Sequence, residues 1–261
     1  MIVRRAGGTP DARMLNAGRM TGADDLKQLA PTGKLRGGVV VAPAASAFFA
    51  IKDDKGEPRG VTVDLLHAFA AALQLPLDLQ VYANSGQVTD AVANAQCDVA
   101  FMPQDAERAK KVDFGPAYYF IESTYLVPAG STIQSIDEVN RPGVRIVAIA
   151  NTTTGRSAHR TAPQADFEEV AGVDLMVEKA RKGDGDAFAL THDSLSGLLP
   201  KLPGARVLPG NFQQTGIGIA VPKGRAVALK IVSDLLADAK TVGVVRHVLD
   251  AAGFKNAAVA P

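Results

Sequence analysis

Apolar runs typical of strands alternate with segments of helical periodicity over the first part of the chain. Pro76 ends the first helical segment. Residues 39–102 are therefore predicted to form a β-α-β-α-β unit, which builds a parallel sheet with helices on both faces. Its strands are predicted at 39–42, 77–82 and 98–102, and its helices in the segments LLHAFAAALQL (65–75) and VTDAVANA (88–95).

A second region with the same alternation follows the turn at residues 128–130. Two such half-size α/β units in one chain imply two lobes. The elements of the second lobe are predicted as strands at 144–150 and 186–190, with a helix after the polar turn at 152–155.

The β-prone segments at 121–127 and 215–221 are predicted to connect the lobes as two crossing strands, which together form a hinge. The predicted domains are an N-terminal extension at 1–23, a first lobe at 24–122 plus 219–261, and a second lobe at 127–214.

The composition excludes several kinds of partner and site. With 28 basic and 27 acidic residues, the net charge is +1, so no broad field favours nucleic acid or an anionic membrane surface. Cys97 is the only cysteine, which excludes an internal disulfide and a thiolate metal cluster. We expect no metal and no cofactor. The 261 residues are 47% apolar, enough for one large or two modest cores.

The sequence contains no run of about 18 apolar residues that would span a bilayer. Its N-terminus, MIVRRAGG, starts basic but lacks the apolar segment of about 7 to 15 residues that a secretory signal needs. The protein is therefore predicted either to be cytoplasmic or to be exported with a signal that is missing from this sequence.

The stretch DVAFMPQDAERAKKVDFGPAYY (98–119) contains the strongest candidate for ligand chemistry. It places Arg108 between a buried-strand pattern and an aromatic-rich turn. A guanidinium is planar and always charged, so a fixed arginine can hold a small carboxylate through two parallel hydrogen bonds. The alternative is that Arg108 is a solvated helix residue beside Lys110 and Lys111.

Four further segments accompany this stretch in a fixed order: GVTVDLLHAFAAAL (60–73), RPGVRIVAIANTTTG (141–155), GDAFALTHD (185–193) and QQTGIGIAVPKG (213–224). Together they resemble the family 3 extracellular solute-binding proteins, which deliver polar amino acids to ABC importers. The resemblance covers about residues 35–254 and leaves the N-terminal extension outside.

The resemblance implies an α/β, two-lobed, periplasmic-binding-protein-like (type II) fold, with two mixed, mainly parallel sheets joined by two crossing strands. It implies a solute-binding protein that captures a small carboxylate-bearing ligand, such as an amino acid, between two closing lobes. It also implies ABC importer membrane subunits as partners, a monomeric state and a periplasmic location.

Individual residues receive roles from the same resemblance. Arg108 matches the arginine that grips the ligand carboxylate, and Asp193 falls where the family places the carboxylate that meets the ligand's ammonium group. Asp193 is also placed to cap the following helix, DSLSGLL. Thr153 and Thr154 lie where a strand turns into a helix, so they are predicted to receive the ligand carboxylate or simply to cap that helix.

The first lobe departs from the family pattern in two places. The segment before Arg108 is shortened to MPQDAE, and the aromatic residues that usually clamp the ligand are reduced to Phe48 and Phe49. The pocket is therefore expected to admit something bulkier than or different from the usual polar amino acid, or to bind it weakly. The remaining predicted ligand contacts are Asn84, Ser85, Gln104, Met102, Ser46 and Phe49.

Two other functions use the same two-lobed fold. A dehydratase-like enzyme acting on a small carboxylic acid would need a buried general acid, and His192 is the one histidine predicted near the cleft. No nucleophile, metalloprotease or phosphate-loop motif supports an enzyme. A regulatory effector module would need an attached DNA-binding unit, for which the extension is too short.

Overall fold

A computed structural model describes residues 15–19, 21–41, 47–255 and 257–261. The strands are β1 (Leu35–Val40), β2 (Ile51–Lys52), β3 (Pro58–Arg59), β4 (Leu77–Tyr82), β5 (Val99–Pro103), β6 (Val112–Val127), β7 (Arg145–Ile149), β8 (Asp166–Val170), β9 (Ala187–Thr191), β10 (Arg206–Val207) and β11 (Gln213–Pro222). The helices are α1 (Asn16–Arg19), α2 (Ala23–Leu29), α3 (Val61–Ala72), α4 (Ser85–Ala93), α5 (Ala106–Ala109), α6 (Thr153–Thr161), α7 (Val173–Lys182), α8 (His192–Leu198), α9 (Ala226–Thr241) and α10 (Val244–Ala251).

The chain divides into two compact units. Unit 1 contains the described residues up to 41 together with Ala47–Tyr119 and Gly216–Pro261, and unit 2 is Phe120–Thr215. The chain passes between the units within β6 and again within β11. Residues 15–19, part of the predicted extension, include α1, which packs against α3 and α9.

The sheet of unit 1 has the order β4-β1-β5-β11. Strands β4 and β5 both pair in parallel with β1, while β11 runs antiparallel to β5. The first strand begins at Leu35 and not, as predicted, at Val39. Gly37 and Gly38 lie inside it. A Cβ atom would come within 2.9 Å of Leu66 Cδ1 at Gly37 and within 2.7 Å of Val88 Cγ2 at Gly38. The two glycines thus allow α3 and α4 to pack closely on β1. Ala42 lies outside the described residues.

In unit 2 the order is β6-β9-β7-β8, with β10 paired to β6. Strands β8 and β9 pair in parallel with β7, and β6 is antiparallel to β9. Successive residues of β7 point to opposite faces, as strand geometry requires. Val147 packs with the apolar side of α7, and Ile146 and Ala148 pack in a second cluster with Ala158 of α6. Unit 2 therefore has two apolar layers, one on each face of its sheet.

Three elements of unit 2 were not predicted: β8, α7 and the two-residue strand β10. Strand β8 (DFEEV) is the edge strand, and its polar residues remain largely exposed, so it lacks the apolar run by which a strand is detected. Helix α7 follows it and buries Val173, Met176, Val177 and Ala180 on one face, a helical spacing. In the part of the chain that the structure describes, no helix combines the length and apolar character that crossing a membrane requires.

Candidate functional site

Most of the candidate residues that the structure describes lie at or near the carboxyl ends of parallel strands within their own unit. In unit 1 the chain leaves β4 into α4 and leaves β5 towards α5, and both strands are parallel neighbours of β1. In unit 2 it leaves β7 towards α6 and β9 into α8, again from parallel neighbours. Ligands of α/β sheets bind outside the carboxyl ends of the strands, where the loops converge.

Arg108 is a buried residue of α5 with only 4% of its surface exposed. Its Nη1 donates a 3.0 Å hydrogen bond to the Pro103 carbonyl, and its Nη2 donates a 2.7 Å hydrogen bond to Ser85 Oγ. The carboxylate of Asp105 lies 3.6 Å from Nη1. Arg108 is therefore not the solvated helix residue of the alternative interpretation. By contrast, the side chain of Lys110 is exposed and pairs with Glu107.

Ser85 is the first residue of α4, and Asn84 is its N-cap. The Asn84 Oδ1 accepts a 2.9 Å hydrogen bond from the Gln87 amide, while Gln87 Oε1 accepts one of 3.1 Å from the Ala83 amide. Together these two hydrogen bonds fix the start of a nine-residue helix. A guanidinium and the positive end of a helix dipole thus meet at Ser85, a combination that suits a carboxylate. The Asn84 side chain caps the helix, and its contact with a ligand stays a prediction.

The other predicted contacts of unit 1 differ in their surroundings. Gln104 forms hydrogen bonds to two backbone carbonyls. Its backbone N–H donates to Gly216 O at 2.8 Å, and its side-chain Nε2 donates to Gly115 O at 2.8 Å. The Met102 side chain is fully buried in the core beside Val88 and Val112, so the predicted contact of this side chain with a ligand is not supported. Ser46 lies outside the described residues.

Phe49 is half-buried and meets Phe48 edge to face, with ring centroids 5.5 Å apart. Phe48 itself is a core residue that stacks on Tyr118 and also touches Tyr119 and Phe254. Of the two aromatic residues that could form the family's usual clamp, Phe48 is therefore a core residue. Phe49 stays the only predicted aromatic contact.

In unit 2, the polar turn after β7 places two threonines at the start of α6. The N-cap is Thr152, whose Oγ1 accepts a 3.0 Å hydrogen bond from the Gly155 amide and donates one of 2.8 Å to Ile149 O. The capping role proposed as the alternative for Thr153 and Thr154 is therefore carried by their neighbour. Both are buried, and Thr154 Oγ1 is 3.0 Å from Ser123 Oγ on β6.

Asp193 lies in the first turn of α8 and does not cap it. The cap is Thr191, whose Oγ1 accepts a 3.3 Å hydrogen bond from the Ser194 amide. Among the described residues, the Asp193 carboxylate makes no hydrogen bond or ion pair. Partial burial raises its pKa, the neighbouring His192 lowers it, and Glu122 raises it further. The net shift is upward, so the site disfavours the unpaired negative charge.

Three residues that position these groups were not predicted: Asp105, Thr152 and Ser123. Asp105 and Thr152 each precede a helix, so the preference of N-caps for Asp and Thr was the available signal. Ser123 lies within a β-prone run and opposes Thr191 in the sheet, and no local pattern indicates its contact with Thr154. Within the residues that the structure describes, no group of three or more His, Cys, Asp or Glu side chains is arranged to hold a metal ion.

Comparison with known proteins identifies relatives of the same kind over most of the chain. The chain is 28% identical over 145 residues to the ABC transporter glutamine-binding protein of Bacillus subtilis, an alignment that covers 56% of this chain and only 53% of that relative. It is 25% identical over 214 residues to a protein of Neisseria gonorrhoeae named "probable histidine-binding protein", covering 78% of each chain.

Solved structures match the fold closely. One is the crystal structure of an ancestral amino acid-binding protein, described as a precursor of cyclohexadienyl dehydratase, with a TM-score of 0.72 and 23% identity over 87% of this chain and 98% of that one. This likeness confirms the predicted α/β, periplasmic-binding-protein-like (type II) fold.

The family model described as "bacterial extracellular solute-binding proteins, family 3" matches residues 39–251. Its members are binding proteins that serve transport, not enzymes. The predicted resemblance is thereby confirmed, and the chain belongs to the family 3 bacterial extracellular solute-binding proteins.

Proposed function

We propose that this protein captures a small ligand bearing a carboxylate, an amino acid or a close relative of one, and presents it to the membrane subunits of an ABC importer. Family membership and relatives whose names specify glutamine and histidine support this proposal. The observation that carries it is the buried guanidinium of Arg108, bonded to the first residue of α4. As in its family, the protein would work as a monomer outside the cytoplasm.

Each unit presents polar groups that suit one part of a zwitterionic ligand. Arg108 and the start of α4 supply positive charge and N–H donors for the carboxylate. Asp193 supplies the acceptor for an ammonium group, whose positive charge would favour the ionised form that partial burial disfavours. The start of α6, with Thr153 and Thr154, adds further donors from unit 2. A zwitterion carries both of the charges that these groups are suited to bind.

A screen of thermal stability tests this function directly. The protein is heated with each of the twenty standard L-amino acids and with small carboxylic acids, because a ligand that binds only the folded state raises the unfolding temperature by mass action. At a concentration of about 100 times Kd the gain in stability is roughly 2.7 kcal/mol. We expect at least one zwitterionic amino acid to shift the transition.

The matched control for each hit is its α-carboxamide, which keeps the side chain and the ammonium group but lacks the carboxylate. We expect the carboxamide to give little or no shift. Mass spectrometry of the recovered compound should return it unchanged, as for a binding protein. Equal shifts from acid and amide, or no shift from any amino acid or small acid, would refute the proposal.

A further inference from the structure

Arg108 belongs to a helix too short to hold itself in place. Helix α5 has only four residues, Ala106–Ala109, a single turn. Helix formation is cooperative, so an isolated turn of this length is unstable and its position depends on contacts made at its two ends. At the start, the Asp105 Oδ1 accepts a 2.9 Å hydrogen bond from the Arg108 amide.

The contact at the other end comes from a residue distant in sequence. The Lys223 ammonium donates a 2.7 Å hydrogen bond to the carbonyl of Ala109, the last residue of α5. A cation at the carboxyl end of a helix also interacts favourably with its dipole. Lys223 directly follows β11, so this contact joins the helix that carries Arg108 to one of the two strands within which the chain passes between the units.

The ammonium of Lys223 is itself oriented by Asp113. Its Nζ lies 3.3 Å from Asp113 Oδ1, and the amide of Gly224 donates a 2.7 Å hydrogen bond to Asp113 Oδ2. Asp113 is the second residue of β6, the other strand that passes between the units. One side chain of unit 1 therefore links the end of α5 to the unit 1 portions of both connecting strands.

We propose that Lys223 is a positioning residue for ligand binding. By holding the end of α5, it keeps the Arg108 guanidinium aligned with Ser85 and Pro103, ready to receive a carboxylate. This inference rests on the proposed function, because it assigns Arg108 to the ligand. An ordinary exposed ion pair would predict something different: its loss changes stability by only about 0 to 1 kcal/mol and leaves binding unaffected.

The test compares Lys223→Met with the wild type by calorimetry, using as probe the L-amino acid with the largest thermal shift in the screen. We expect the affinity to fall about tenfold, since small displacements of a binding group are costly and coupled residues act on this scale. Lys223→Arg should restore most of it, because arginine can also donate to the Ala109 carbonyl. Lys230→Met removes another exposed lysine of unit 1, one paired with Asp234 on α9, and should leave affinity unchanged.

A double-mutant cycle with Arg108→Ala separates positioning from general stability. If Lys223 acts through Arg108, then Lys223→Met should have almost no effect on affinity in the Arg108→Ala background. Arg108→Lys replaces that background if binding to Arg108→Ala is too weak to measure. If Lys223→Met lowers the affinity as much in the Arg108→Ala background as in the wild type, the inference is overturned. Wild-type affinity in Lys223→Met alone would also overturn it.

The outcomes also separate this inference from the proposed function. If Arg108→Ala binds the probe as well as the wild type, the assignment of Arg108 to the ligand is wrong, and the role of Lys223 falls with it. If Arg108→Ala weakens binding while Lys223→Met does not, only the role of Lys223 is wrong.

Discussion

The Arg108 guanidinium donates a 2.7 Å hydrogen bond to the Ser85 hydroxyl, although the two residues belong to helices, α5 and α4, that follow different strands. This bond joins the loop after β5 to the start of α4 at the carboxyl edge of the unit 1 sheet. With the Pro103 carbonyl as a second acceptor, the guanidinium plane is fixed before any ligand arrives. A preorganised donor loses less conformational freedom on binding, which favours affinity.

Replacing Arg108 with alanine should therefore weaken binding of a carboxylate ligand by about 2 to 5 kcal/mol, or roughly 30-fold and more. The reason is that the ligand's negative charge loses its charge-assisted donors. Isothermal titration calorimetry with an amino acid from the screen measures this change. Circular dichroism and thermal unfolding would show that the variant is folded.

Two further variants make that result specific. Arg108→Lys keeps the positive charge but not the planar fork, so it should recover only part of the affinity. Lys110→Ala removes an exposed cation of the neighbouring loop and should bind like the wild type. A Kd for Arg108→Ala within about twofold of the wild type would show that this side chain does not receive the ligand.

Binding should also depend on pH through Asp193. Partial burial raises the pKa of this carboxyl in the free protein, and a ligand ammonium beside it would lower that pKa by favouring the ionised form. Affinity is therefore highest above the pKa of the free protein. It should fall as the pH drops through that value, at most about tenfold per pH unit for one proton.

Calorimetric titrations across the acidic range would check this dependence, with the ligand carboxyl's own titration subtracted. In Asp193→Asn the affinity should be lower at neutral pH and should lose this component of the pH dependence. The same acid-side slope in Asp193→Asn would mean that another group is responsible.

Much of the fold could be predicted because its buried strands are apolar and its helices are periodic. The limits have physical causes at particular residues. The predicted strand begins at Val39, whereas β1 already includes Gly37 and Gly38, whose lack of side chains leaves room for the packed helices and gives no apolar signal in the sequence. Strand β8 escaped prediction because an edge strand exposes polar residues such as Asp166 and Glu168.

The sequence indicated individual candidate residues for the site but not their arrangement. Arg108 and Ser85 were both predicted contacts, whereas their mutual hydrogen bond depends on the order of β4, β1 and β5 in the sheet. The contact of Lys223 with the end of α5 joins residues 114 positions apart, a separation over which sequence periodicity carries no information. Met102 was a predicted contact, yet its side chain packs in the core, and the sequence gives no sign of that difference.

Thr152 should contribute to stability through the start of α6. Thr152→Ala removes the acceptor of the Gly155 amide, a loss that typically costs about 1 kcal/mol and should lower the unfolding temperature by roughly 2 to 4 °C. Thr152→Ser keeps the hydroxyl and serves as the matched control, with an expected change near zero. Differential scanning calorimetry measures both. Equal destabilisation by alanine and serine would exclude the cap as the cause.

Gly218 and Gln104 form a close pair in unit 1 that mutagenesis can test. A Cβ atom at Gly218 would come within 2.3 Å of Gln104 Nε2, so alanine at this position must push the amide away from the Gly115 carbonyl that it contacts at 2.8 Å. We expect Gly218→Ala to destabilise the protein by about 1 to 3 kcal/mol in chemical denaturation. Gly197→Ala, where a Cβ meets nothing within 4 Å, is the matched control and should be neutral or slightly stabilising.

The double variant Gly218→Ala/Gln104→Ala gives the more specific result. Removing the glutamine side chain opens the space that the new methyl group needs, so the second substitution should cost much less in this background than alone. The interaction energy between the two sites should then reach about 0.5 kcal/mol or more, as for other residues in direct contact. Strictly additive losses would mean that Gly218 is required for its backbone conformation and not for the room it leaves to Gln104.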